Sequence, residues 1–154
     1  MTDEKLPEDY RPAPETMLCF DLYATHHAVG HVYQTLLADL GLTYPQYLVL
    51  VTLWTGDGLT MGELGHRLGL ESSTLTPLIK RLENNGFLVR ARDKSDERKV
   101  RIHLTEAGKQ MEESARHVPG CIAEAFGLPL AELHQLHETL TRMRASLKAS
   151  MEDK

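Results

Sequence analysis

Residues 72–104 read SSTLTPLIKRLENNGFLVRARDKSDERKVRIHL, and the order of elements in this stretch decides the fold. Leu75, Leu78, Ile79 and Leu82 recur at helical spacing, and Asn84-Asn85-Gly86 is a strong C-terminal stop. Together they predict a helix over about 72–84. Pro77 is awkward inside it. Propensity alone starts this helix at Thr76, whereas a start at Ser72 forgoes the bond that residue 77 cannot donate to the carbonyl of Ser73. Residues 87–92 and 99–104 read as two short strands, with the polar run 93–98 as the hairpin tip between them. Immediately upstream, residues 61–68 form a short helix that ends in a turn at Gly69.

Two short helices joined by a turn, followed by a hairpin with a charged tip, is the order of a winged helix-turn-helix. Working outward, Leu18, Leu22, Val29, Val32, Tyr33, Leu36, Leu37 and Leu40 mark a long helix over 16–40, stopped at Gly41. Thr43-Tyr44-Pro45 restarts a helix that is apolar almost all round, from Tyr47 to Trp54, and so belongs at the domain centre. Gly56-Asp57-Gly58 ends it. Thr105 caps a further helix that is expected to reach Pro119 or beyond, and a last one spans 129–150. In that last helix Leu133, Leu136, Leu140, Met143 and Leu147 alternate spacings of three and four, which is an a/d seam. Long terminal helices with little core to join favour a dimer interface. The expected organisation is a single chain, 1–154. Residues 1–15 form a loose, proline-bearing arm, 16–42 and 105–150 are dimerisation helices, and 43–104 are the winged-helix lobe. The expected class is mainly α with a small β wing.

A length of 154 residues suits one domain with a respectable core, and 42% apolar with 25% charged residues excludes a disordered or fibrous chain. The longest uncharged stretches, 22–38 and 40–56, are too short and too interrupted by polar residues, glycine and proline for a membrane span. The acidic start Met1-Thr2-Asp3-Glu4-Lys5 has no basic-then-apolar order of a secretion signal, so the expected location is the cytoplasm. Two cysteines, Cys19 and Cys121, make neither a disulfide scaffold nor a metal knuckle. No dinucleotide, flavin or metal-ligand motif stands out, no Ser/His/Asp order is defensible, and neither a cofactor nor an enzyme is expected. His26, His27, His31, His134 and His137 stand at helical spacings that could hold a metal, but no carboxylate or thiol spacing strengthens such a site.

Charge is unevenly spread. The chain carries −5 overall, but residues 80–101 hold eight basic side chains against four acidic ones, so this window is +4 and the rest −9. An island of positive potential suits a polyanion, although a solvated charged hairpin would look the same. The hydroxyls of Ser72, Ser73, Thr74 and Thr76 can approach bases and phosphates closely. Lys80 and Arg81 can neutralise backbone charge, and Arg92, Lys94 and Arg98 extend the cationic surface along the hairpin. A hydroxyl-rich helix cap in an unrelated domain would share the first of these features. Cys19 lies near a helix start, where the peptide dipoles favour a thiolate, the form that attacks a peroxide. A small buried core thiol is the plainer reading of the same residue.

At Asp96-Glu97-Arg98, followed by Leu104-Thr105-Glu106-Ala107-Gly108, the chain resembles the MarR family of winged-helix regulators. The blocks 18–23, 42–48 and 74–83 sharpen the likeness to the organic-hydroperoxide-sensing branch of that family, and the resemblance covers about 16–150. Glu71 and Ser73 depart from the Asp and Gly usual in that branch, and the departure touches operator preference. The resemblance implies a homodimer on a pseudo-palindromic DNA operator, with Arg98 in the minor groove and Asp96 bracing the wing. It implies that Cys19 is oxidised by an organic hydroperoxide while Tyr23 and Tyr33 of the partner donate hydrogen bonds to its sulfur. Cys121 corresponds to a resolving cysteine, with a low-molecular-weight thiol as the alternative partner. Release by a small apolar or phenolic ligand in the dimer cleft, with Cys19 structural, is the competing reading; a thiol peroxidase would have no use for the winged-helix blocks.

Overall fold

The computed structural model describes residues 11, 13–93, 96 and 98–152. After a 3-10 turn at Pro14–Thr16 come helices α1 (Leu18–Leu37), α2 (Tyr44–Thr55), α3 (Met61–Leu68) and α4 (Ser72–Asn84). Strands β2 (Leu88–Arg92) and β3 (Val100–Leu104) follow, then α5 (Glu106–Ser114), α6 (Val118–Ala125) and α7 (Leu130–Glu152). A two-residue strand β1 (Leu59–Thr60) lies between α2 and α3 and pairs with β3, so the wing is a three-stranded antiparallel sheet in the order β1-β3-β2. The fold class is the mainly helical winged helix-turn-helix that the sequence predicts. No single helix among the described residues is long and apolar enough to cross a membrane.

The core lies in the winged-helix lobe. Leu50 and Leu53 of α2, Leu64 of α3, Leu75, Ile79 and Leu82 of α4, and Ile102 of β3 are all 0–1% exposed. Helix α2 runs through their centre, which explains why its apolar residues leave no polar face. Its start is held by Gln46, a buried side chain whose amide oxygen accepts the N–H of Thr43 at 2.9 Å. At its other end the indole N–H of Trp54 donates to the carbonyl of Gly108 at 2.9 Å, tying α2 to α5. Gly108 is required there, because a Cβ would stand 2.1 Å from the carbonyl oxygen of Phe87.

Two expectations are corrected. The helix after Thr105 does not continue through Pro119: α5 ends at Ser114, Ala115 to His117 form a turn, and α6 begins at Val118. Pro119 cannot donate to the carbonyl of Ala115, which instead accepts a tighter bond from Val118 N–H at 3.0 Å. The proline is then accommodated in the first turn of the new helix. The second correction concerns residues 14–16 of the expected arm, which form the 3-10 turn leading into α1. The remainder of that arm, apart from Arg11 and Ala13, lies outside the described residues.

Candidate nucleic-acid interface and redox site

Helix α3 begins at a capping box, with Thr60 N–H donating to Glu63 at 2.7 Å and Glu63 N–H donating to the Thr60 hydroxyl at 3.2 Å. It ends at Gly69, whose φ of +65° suits a residue without a Cβ. The chain thereby turns into α4, which starts at Ser72 and carries Pro77 within it. A proline inside a helix costs about 3 kcal/mol relative to alanine, so burial of Leu75, Ile79 and Leu82 on the opposite face has to sustain the helix. Ser72, Ser73, Thr74, Thr76, Lys80 and Arg81 are all exposed. The Thr76 hydroxyl is turned back onto the helix, donating to Ser72 O at 2.7 Å.

The basic island is partly neutralised from within. Arg90 pairs with Glu83 at 3.1 Å, joining β2 to α4. Arg101 donates through Nε to the buried Asp93 and through Nη1 to Gly58 O at 2.7 Å, with Glu63 3.7 Å away. Asp93 and Glu63 hold the Arg101 guanidinium above its usual pKa. Arg101 thus fastens the base of the wing to β1 and to the start of α3. Asp57 does the same from the other side: its carboxylate accepts Leu104 N–H at 2.8 Å and lies 3.1 Å from Nδ1 of His103. Burial opposes ionisation of Asp57, but hydrogen bonds from Leu104, His103 and Gly58 outweigh it and hold its pKa below the ordinary carboxylate value. At the wing tip Asp96 accepts both the backbone N–H and Nε of Arg98 at 3.2 Å, and the Arg98 side chain is 92% exposed. Arg92 is exposed on β2, and Lys94 lies outside the described residues. Lys80, Arg81 and Arg92 have no acidic partner among the described residues, so the island presents α4 and the wing edge rather than all eight cations.

Cys19 is the second residue of α1 and is exposed, while Cys121 is half-buried on α6, which packs against α1. Within one chain both thiols are free, and no hydrogen bond joins Cys19 to Tyr23, Tyr33 or Cys121. Tyr23 is 62% exposed and meets His27 edge-on, with ring centroids 4.4 Å apart. Tyr33 stacks on Tyr44 at 4.0 Å and hydrogen-bonds to it, with Tyr47 6.0 Å away. Burial, reinforced by Tyr44 and Tyr47, pushes the Tyr33 phenol up to about 12, so its proton stays in place at neutral pH. Tyr44 is the side chain that sequence reasoning missed. Thr43-Tyr44-Pro45 reads there only as a helix start, and the available signal was a second phenol 11 residues beyond Tyr33. Asp57, Asp93 and Arg101 were missed as wing anchors for a similar reason, although an aspartate between two glycines was visible.

The lobe and its uncovered helix define a winged helix-turn-helix regulator, and comparison with known proteins agrees. The family model for the transcriptional regulators SarA/Rot matches residues 31–114, and the chain belongs to this family. It is 47% identical to the HTH-type transcriptional regulator TtmR of Methylorubrum extorquens, over 88% of this chain and 69% of the relative. With the organic hydroperoxide resistance transcriptional regulator of Bacillus subtilis it shares 41% identity, over 86% of this chain and 90% of that one. Among solved structures it resembles reduced AbfR bound to DNA, with a TM-score of 0.75 at 35% identity, covering 87% of this chain and 92% of AbfR. The disulfide form of AbfR matches with a TM-score of 0.61 at 36% identity, over 82% of this chain and 88% of that one. These are families of regulators, and no enzymatic family is indicated.

Proposed function

We propose that this chain is a homodimeric transcriptional repressor that leaves its DNA operator when Cys19 is oxidised by an organic hydroperoxide. The observation that carries the reading is the placement of Cys19. It is an exposed thiol in the first turn of α1, on a helix whose neighbouring Leu18, Phe20 and Tyr23 are 63%, 43% and 62% exposed and await a covering surface. A second copy supplies that surface through α1, α6 and α7, and brings its Tyr23 and Tyr33 toward the thiol. Tyr33 keeps its proton at neutral pH; donating it to sulfur means giving up the hydrogen bond to the stacked Tyr44, which any thiolate that reaches Tyr33 also meets. The named likenesses support this: AbfR has been solved with DNA and in a disulfide form.

In the reduced dimer, Ser72, Ser73, Thr74 and Thr76 of α4 face the major groove. Lys80, Arg81, Arg92 and Lys94 neutralise phosphates, and Arg98, braced by Asp96, enters the adjacent minor groove. The Cys19 thiolate attacks the peroxide oxygen, the O–O bond breaks, and the alkoxide leaves and is protonated to an alcohol, giving a sulfenic acid. The Cys121 thiol of the other subunit then displaces hydroxide, which departs as water, to form a disulfide; a small thiol can do the same. A disulfide needs Cα atoms within about 6 Å, so where the two thiols of the reduced dimer start further apart, closing it displaces α1 and changes the separation of the two recognition helices. Cys19→Ser should bind DNA in a gel-shift titration yet keep at least 90% of the complex (about a tenfold loss of response) under peroxide that releases the wild type. Peroxide-driven release of Cys19→Ser refutes the sensor assignment.

A second reading rests on the open hollow of about 490 Å³ between α2 and α5, where Tyr47, Val51 and Trp54 meet Lys109 and Arg116. A small aromatic ligand there would wedge the two helices apart. Release by such a ligand would survive both thiol reductant and the loss of Cys19.

A further inference from the structure

The first half of α4 is poor in the groups that usually read bases. From Ser72 to Leu78 it has no arginine, asparagine or glutamine, so no side chain there can grip a purine edge at two points. Its outward strip is set by helical spacing opposite the buried Leu75, Ile79 and Leu82, and comprises Ser73, Pro77 and Lys80 with Thr76 on its shoulder. Thr76 has already spent its one proton on Ser72 O, at 2.7 Å. Its hydroxyl oxygen can only accept, and the methyl is what remains to present. Pro77 is exposed, has no donor, and is the residue least suited to a helix interior. The outer face of α4 therefore offers an apolar step one turn beyond Ser73.

We infer that Thr76 and Pro77 make α4 a reader of thymine methyl groups, rather than of purine hydrogen-bonding edges. Thymine is the base that places an apolar group in the major groove, and a threonine methyl or a hydrocarbon ring is its natural contact. Ser73 and Lys80, before and after this step, supply a hydroxyl and a cation for phosphates. The inference rests on the DNA-binding reading and gives it a sequence preference: each half-site carries a thymine opposite the second turn of α4.

The test uses reduced wild-type protein to select duplexes from a random library. The enriched duplex is then resynthesised with deoxyuridine replacing one thymidine per half-site at a time, which deletes a methyl and no hydrogen-bonding group. At one or two positions binding weakens about three- to fivefold, the effect of losing one buried methyl. Thr76→Ser keeps the hydroxyl bond to the helix and deletes the methyl, and Pro77→Ala returns the missing helical N–H. In each variant the thymidine-to-deoxyuridine ratio at one of those positions falls toward one, with circular dichroism confirming the helix. Equal wild-type affinity for both duplexes overturns the inference and leaves DNA binding intact, as does a ratio unchanged in both variants. Failure to enrich any duplex overturns the DNA-binding reading itself, and this inference with it.

Discussion

The winged-helix lobe and the terminal helices spend their apolar residues differently. Among the described residues, the hydrophobic side chains at 0–1% exposure lie in the lobe, save Leu37 of α1 and Val118 of α6, which pack onto the same cluster around α2. Helix α7 is longer than any helix of the lobe, yet Leu130, Leu136 and Leu147 on it remain 69%, 45% and 57% exposed. The lobe carries a finished core, whereas α1, α6 and α7 carry apolar faces that one chain does not cover. The same residue type thus stabilises a fold in one region and, by the reading above, an assembly in the other.

Paired truncations sharpen that contrast most. Leu53→Ala, at a site 1% exposed, should lower unfolding free energy by about 2–5 kcal/mol. Leu136→Ala should leave the lobe's chemical-denaturation midpoint nearly unchanged and raise the dimer dissociation constant instead, as read by sedimentation. Equal losses of lobe stability from both would erase the distinction. Next in size is Gly108→Ala. Its Cβ would meet the backbone of Phe87, and the forced separation of α5 from the residue that leads into β2 should cost about 1–3 kcal/mol, seen as a lower melting temperature. The smallest effect concerns the Asp57 latch. Its folded pKa lies below the ordinary 3.8, so its contribution is present above that value and is lost as pH falls through the depressed one. With about 39% of the side chain exposed, screening holds this well under about 1 kcal/mol. Asp57→Asn should flatten the acid limb of the stability profile below pH 4, and an unaltered limb would remove the latch from the account.

The readable parts of the molecule were the locally encoded ones. The ends of α3 and α4 follow from Gly69 and Asn84-Asn85-Gly86, and the buried face of α4 from the spacing of Leu75, Ile79 and Leu82; each of these signals lies within or directly beside the element it describes. β1 escaped notice because two residues carry no periodicity; it exists because β3 offers Arg101 and Ile102 as partners across the intervening helices. The break between α5 and α6 had its signal in Pro119, whose effect falls four residues upstream on the carbonyl of Ala115. Within the candidate sites, exposed residues such as Ser73, Lys80 and Arg98 were named from the sequence. The anchors were not, since Asp57 meets Leu104 47 residues away and Arg101 reaches Gly58 43 residues away. Pairings at such distances along the chain are made by tertiary packing, and composition cannot announce them.

The bond from Trp54 to Gly108 has an optical consequence. Trp54 is the sole tryptophan of the chain, and its indole bridges α2 and the start of α5. Its emission therefore comes from the seam between α2 and α5, without contribution from any other indole. Loosening α5 from α2 would break that bond and recolour the fluorescence, giving the protein a built-in gauge of that seam.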